Sequence, residues 1–362
     1  MNSIFNLFKK VFKNSHETNM ETEIYSQPEI IEKLISKYIN SDNTINIDLP
    51  DGIEKIALIA SGSSYHSATI AANYFRNNAH IYSQSYYASE FSLNDNIDID
   101  LKTLYIFISQ SGETADTNKA LDIVRIKTDK TLCITNTKNS KMYTNSKYRV
   151  LIHAGVEKSI ASTKAMCAQI YCLFLIAVKF MYLKQICTNT LIDELKSIPK
   201  VINGVFDDRA SIKYFADKLV KYDNAAVLAS GMFYPLAKEG ALKIKETSYI
   251  NTTGYPTGEF LHGHIAILNK RCAVITIVNN SNVEFTVKVL DKIRADYNAD
   301  CLIISAFQIK VRNQENIIAV NAYRDVEFLF ATLTILQLLA YESAIMLNRN
   351  VDKPSGLTKV VK

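Results

Sequence analysis

Three times in this chain a short apolar run ends in a turn of small residues and passes into a helical pattern. IALIA at 56–60 enters SGSSYHS, LYIFIS at 104–109 enters the SGET turn, and AAVLAS at 225–230 enters GMFYPLAKEGALKIKETSYI. TLCITN at 131–136, KYRVLIHA at 147–154, AVITIVN at 273–279 and DCLIISAF at 300–307 are further strand-length runs. Strands that alternate with helical patterns specify parallel sheets, because a parallel neighbour is reached only through a crossover, usually a helix. Two long apolar helices are expected. One covers 159–183, with Ser159 or Ser162 as its cap, and the other covers 326–348, with Leu333, Leu336, Leu339 and Ala340. SIPK at 197–200 separates the two sets of strands. The expected fold is an internally duplicated α/β architecture. Its units are 1–195, with a helical N-terminal segment, then 200–350, then a tail at 351–362 that Pro354 and Gly356 keep extended. At 362 residues the chain is roughly twice the commonest domain size, which suits two units.

Bulk properties narrow the function. Hydrophobic residues at 48% and charged residues at 21% allow both units a core of their own. The net charge of +5 is spread along the chain without a basic stripe interleaved with aromatics, so no nucleic-acid partner is expected. Six cysteines (133, 167, 172, 187, 272 and 301) form no CxxC pair and mostly sit in apolar runs, as thiols in the reducing cytoplasm do. His262 and His264 are the only close histidine pair, so no metal site is expected. GxxxxGK and GxGxxG are both absent, so neither ATP nor NAD is expected as a cofactor. The longest near-apolar stretch, 171–178, stops at Lys179, short of the ~20 residues a bilayer needs. No integral membrane association is expected. At the N-terminus, Ile4, Phe5, Leu7, Phe8, Val11 and Phe12 beside Lys9, Lys10 and Lys13 suit a packed or dimer-covering helix, or one lying on a membrane surface.

Two turns after strands share one chemistry. Ser61-Gly62-Ser63-Ser64 and Ser109-Gln110-Ser111-Gly112-Glu113-Thr114 each couple hydroxyls to backbone N–H groups at a helix start, a combination that cradles a phosphate dianion. Such serines and threonines also serve as plain helix caps. Glu239, Lys243 and Glu246, at i, i+4 and i+7, share one helix face.

SGSSYHS, FISQSGETADT, IASTKA, EGALKIKETSYI, GEFLHG and the terminal DKPSGLTKVV, in this order, resemble the isomerase half of glutamine–fructose-6-phosphate aminotransferase. The resemblance runs from about residue 50 to the end and implies two tandem sugar isomerase (SIS) domains. It implies that Ser63, Ser109, Gln110, Ser111 and Thr114 hold a sugar phosphate, with Ser64 close by and Ser162 on the sugar. It implies Glu246 as the proton-transferring carboxylate, Lys243 as its polar partner, and His262 as the ring-opening residue, offered by the second subunit of a dimer. It implies that Lys359 meets the anomeric end of the sugar. These roles are chemically coherent. A carboxylate beside an open-chain sugar can move a proton between C1 and C2, a lysine can stabilise the anionic intermediate, and an imidazole titrates near working pH.

The sequence departs from that family at Leu261 and His264, where a lysine and a proline are usual. Residue 2 is Asn2 and no cysteine precedes Cys133, so glutamine hydrolysis by this chain is not expected. Three functions follow from the resemblance. The first is a deaminase or isomerase of glucosamine 6-phosphate and fructose 6-phosphate, which the VEKS stretch at 156–159 favours. The second is an aminating enzyme fed with ammonia, with a separate ammonia-producing partner. The third is a non-catalytic sugar-phosphate sensor, against which stands the joint presence of Glu246, His262 and Lys359.

Overall fold

The apolar runs become strands of two five-stranded sheets, all of them inner strands except the run at 147–154, in the computed structural model, which describes residues 18–94, 98–269, 271–297, 299–310, 316–322 and 324–359. The amphipathic stretch at residues 4–13 lies outside the described residues. Helices α1 (Asn19–Tyr25) and α2 (Gln27–Tyr38) come first. The first unit then runs β1 (Lys55–Ala60), α3 (Gly62–Asn77), β2 (Tyr82–Tyr87), α4 (Ala88–Leu93), β3 (Thr103–Ile108), α5 (Ala115–Arg125), β4 (Thr131–Thr135), α6 (Lys141–Asn145) and β5 (Tyr148–Leu151). Three helices follow: α7 (Lys164–Leu183), α8 (Asn189–Asp207) and α9 (Arg209–Leu219). The second unit runs β6 (Asn224–Ala229), α10 (Tyr234–Ser248), β7 (Asn251–Pro256), α11 (Thr257–Phe260), β8 (Cys272–Val278), α12 (Val283–Tyr297), β9 (Cys301–Ser305), β10 (Ile317–Ala319) and α13 (Asp325–Met346).

Both sheets are wholly parallel, in the orders β2-β1-β3-β4-β5 and β10-β9-β8-β6-β7. Numbered within its own unit, each sheet has the order 2-1-3-4-5, so the duplication read from the sequence extends to the topology. In that order the winding reverses between the first and third strands, and ligands bind beyond the carboxyl ends of strands at such a reversal. The turns after β1 and β3 flank that point in the first sheet.

Helices α7 and α13 fill the centre. By length and composition alone both are long and apolar enough to cross a membrane, but 83% and 94% of their most apolar windows are buried inside the protein. Phe174 of α7 stacks on Tyr74 of α3 at 4.2 Å and meets Phe330 of α13 edge-on at 6.0 Å. Five of the six cysteines are buried, Cys187 is partly so, and all six are free thiols.

Two expectations are corrected by local structure. Residues 195–200, expected to separate the units, lie within the continuous helix α8, which carries Pro199 and buries Leu195, Ile198, Ile202 and Val205 as one stripe. The helix expected from 159 begins at Lys164, and neither Ser159 nor Ser162 caps it. The Glu157 carboxylate does that work, accepting from Thr163 N at 3.0 Å and Ala165 N at 3.1 Å. Three strands lie beyond those expected from the sequence: β2 and β7, which are largely polar, and β10, only three residues long, each at a sheet edge.

Candidate active site

The turn after β3 gathers three hydroxyls. Ser109 Oγ lies 2.9 Å from Thr114 Oγ1 and 3.4 Å from Ser111 Oγ, and accepts from Gly112 N at 3.1 Å. Ser111 Oγ accepts from Glu113 N at 3.1 Å. Gly112 has φ +70° and its Cα faces Ser140, so a side chain there would be strained and would collide with the Ser140 hydroxyl. Gln110 anchors the turn through its carbonyl, which accepts from Asn136 N at 3.0 Å. After β1, Ser64 Oγ accepts from Gln169 Nε2 at 3.0 Å. Ser61 and Thr114 occupy the N-cap positions of α3 and α5, yet neither side chain makes a capping hydrogen bond. Neither N-cap hydroxyl is therefore spent on its own helix.

On α10 the expected face is real and mostly buried. Lys243 Nζ lies 2.5 Å from Glu246 Oε2 and 3.5 Å from Glu239 Oε1. The side chains of Glu239 and Lys243 are each 1% exposed, whereas that of Glu246 is 22% exposed. Glu239 also reaches the first unit: His66 Nδ1 donates to its Oε2 at 2.6 Å, and Ser63 lies near enough to help stabilise the same carboxylate. Burial alone would raise Glu239, but Lys243, His66 and Ser63 together hold its carboxyl below the usual range. Burial likewise opposes the charge on Lys243, and Glu239 and Glu246 outweigh it, so this ammonium is held above its ordinary pKa.

Lys359 is anchored from the tail. Its Nζ donates to Glu157 Oε2 at 2.6 Å and to the Ser159 carbonyl at 2.7 Å. Glu157 in turn contributes to the field that keeps Lys243 charged. Ser162 lies partly buried in the turn before α7, with no side-chain hydrogen bond among the described residues. His262 stands apart: it is exposed in the turn after α11, where its N–H donates to the Glu259 carbonyl at 2.9 Å. Among the described residues its side chain has no hydrogen bond to the Glu239–Lys243–Glu246 group. Leu261 packs against the second unit's core, and the ring of His264 lies 4.5 Å from that of Tyr255. Two participants were missed by sequence reasoning, Glu157 and His66. The available signal for Glu157 was a carboxylate placed shortly before a long helix.

The SIS domain model matches residues 52–179 and 218–347. The chain belongs to the SIS-domain family. Among SIS relatives, the glutamine–fructose-6-phosphate aminotransferase (isomerizing) of Campylobacter jejuni is 33% identical, aligning with 94% of this chain and 58% of its own length. That of Rhizobium leguminosarum is 32% identical over 97% of this chain and 60% of its own. The chain thus spans about three fifths of these relatives. Among solved SIS structures, the C-terminal domain of glucosamine-fructose-6-phosphate aminotransferase from Francisella tularensis superposes with a TM-score of 0.88 at 29% identity, over 94% of this chain and 99% of that one. Glucosamine-6-phosphate deaminase from Thermotoga maritima shares the fold, with a TM-score of 0.76 at 20% identity over 95% and 99% of the two chains.

Proposed function

We propose that this SIS protein binds the phosphate of an amino-sugar phosphate at the Ser63–Ser64 and Ser109–Thr114 turns and moves a proton between C1 and C2 of the open-chain sugar. The substrates are glucosamine 6-phosphate and fructose 6-phosphate or a close relative, and the reaction is deamination or aldose–ketose isomerisation. The observation that carries this reading is the Glu246–Lys243 pair. Glu246 is the partly exposed carboxylate of the group, next to an ammonium that its surroundings keep protonated. Glu239 is buried and held by Lys243 and His66, so it orients rather than exchanges protons with a ligand. A lysine held as a cation acts electrostatically, stabilising negative charge that develops on the sugar oxygens; a nucleophilic lysine needs the opposite shift. Ser162 and Lys359 contact the sugar. No cofactor or metal takes part in this scheme, and six free thiols suit a cytoplasmic protein.

The aminating direction is the second reading, supported by the identities to solved structures: 29% to the aminotransferase domain against 20% to the deaminase. In that direction ammonia is a substrate, delivered by a separate ammonia-producing partner. One active site serves both directions, and metabolite concentrations set the net flux. A panel of hexose and amino-hexose 6-phosphates with and without ammonium, reading ammonia release and C1–C2 isomerisation, separates the readings. No turnover on any of them would leave the sensor.

Phosphate recognition has its own expected outcome. Ser109→Ala or Thr114→Val should weaken binding of glucosamine 6-phosphate at least tenfold, since a hydrogen bond to a charged group contributes about 1.5–3 kcal/mol. Equal affinities of the parent for glucosamine and its 6-phosphate, by calorimetry, would contradict the assignment.

His262, exposed and without a side-chain hydrogen bond to the Glu239–Lys243–Glu246 group among the described residues, fits a site completed by a second copy. The proposed assembly is a homodimer or higher. Mixing inactive Glu246→Gln and His262→Ala proteins should restore part of the activity, because one of the two composite sites then holds both groups. A monomer by equilibrium ultracentrifugation at active concentrations would refute the shared site.

A further inference from the structure

Lys359 sits on a tail, and a tail alone does not fix an ammonium in place. Its two acceptors, the Glu157 carboxylate and the Ser159 carbonyl, both belong to the segment 157–160 between β5 and α7. That segment is held by residues far away in sequence. Glu23 of α1, a buried carboxylate, accepts from the backbone N–H and hydroxyl of Ser159 and from the N–H of Lys158. The Asp352 carbonyl accepts from Ile160 N at 3.0 Å. The Asp352 carboxylate, in turn, grips the start of α1. It accepts from Asn19 N at 2.9 Å, Asn19 Nδ2 at 2.8 Å and Met20 N at 2.8 Å. Between Asp352 and Lys359 the tail is pinned once more, where Ser355 N donates to the Tyr249 hydroxyl at 2.7 Å. Tyr249 is the C-cap of α10, three residues beyond Glu246.

The connections close a ring: α1 holds segment 157–160 through Glu23 and the tail through Asp352, and segment and tail meet at Lys359. We infer that Glu23 and Asp352 are positioning residues, and that α1 is a clamp setting where the Lys359 ammonium stands relative to Glu246. The catalytic meaning of that placement rests on the proton-transfer reading above; the clamp itself does not. None of its contacts touches Ser63, Ser109 or Thr114, so loosening it should leave phosphate binding in place. Carboxylates that accept from several N–H donors make strong hydrogen bonds and carry geometric precision.

The test uses the full chain with Glu23→Gln and Asp352→Asn, near-isosteric changes that remove charge but little volume. Ala variants at the same positions give the larger perturbation. The readout independent of activity is the rate at which an amine-acylating reagent modifies Lys359, followed by mass spectrometry relative to the exposed Lys288. The variants should raise that relative rate fivefold or more. They should lower kcat for the sugar phosphate at least tenfold while its Kd by calorimetry moves less than threefold. Unchanged Lys359 reactivity in folded Ala variants would overturn the clamp. Raised reactivity with unchanged kcat would overturn the positioning role. Raised reactivity in a protein whose parent turns over no sugar phosphate supports the clamp and counts against the proton-transfer reading alone.

Discussion

Glu246→Gln is expected to lower turnover by about 10²–10⁴-fold, the usual contribution of a general acid–base group, while sugar-phosphate affinity changes little. Glutamine keeps the volume of the side chain and an oxygen facing Lys243, but it cannot accept a proton at working pH. The expected pattern follows from the separation of parts. Phosphate is held at the turns after β1 and β3, whereas Glu246 belongs to α10 of the second unit and contacts Lys243 rather than those hydroxyls. Steady-state kinetics beside calorimetric Kd values check it. A variant that loses binding and turnover together would place Glu246 in ligand recognition, and a variant with parental kcat would remove it from the reaction.

Replacing Lys243 should act on stability as strongly as Glu246 acts on rate. Its ammonium, 1% exposed, balances Glu239, which is equally buried. Breaking a buried ion pair from one side typically costs about 3–5 kcal/mol, because an uncompensated charge remains. Lys243→Met is therefore expected to lose about that much at pH 7 in urea unfolding, and adding Glu239→Gln to recover a substantial part. The pH dependence has a definite sign. In the parent, Glu239 is held low, so its contribution to stability is present above the unfolded carboxylate range and lost as pH falls through the folded value. Without Lys243 the orphaned carboxyl is raised instead, and protonation relieves it. The deficit of Lys243→Met should thus narrow between pH 7 and pH 5. A deficit that widens on acidification, or one below about 1 kcal/mol, would contradict the assigned charge balance.

The parts of the fold legible in the sequence are those where burial is two-sided. β3, β4, β8 and β9 are buried along their whole length and read as continuous apolar runs. The edge strands β2 (YSQSYY) and β7 (NTTGYP) are partly exposed, and β10 is three residues long, so no periodicity marks them. The SIPK segment at 197–200 reads as a break between units, but the apolar stripe of Leu195, Ile198, Ile202 and Val205 carries helix α8 straight through it. At the site, Glu239, Lys243 and Glu246 were legible because helix geometry alone brings them together. His66 and Glu157 were not, because their partners lie 173 and 202 residues away and only the tertiary fold makes the contact. The same distance hides the clamp of Glu23 and Asp352.

Proton transfer by Glu246 is most directly visible by NMR in deuterated water, as deuterium entering C1 or C2 of fructose 6-phosphate or glucosamine 6-phosphate alongside any isomerised product. The parent protein should exchange one of these hydrogens with solvent, and Glu246→Gln, with the same sugar phosphate bound, should exchange it about 10²–10⁴-fold more slowly. Undiminished exchange in Glu246→Gln would contradict the account and hand the base to another group.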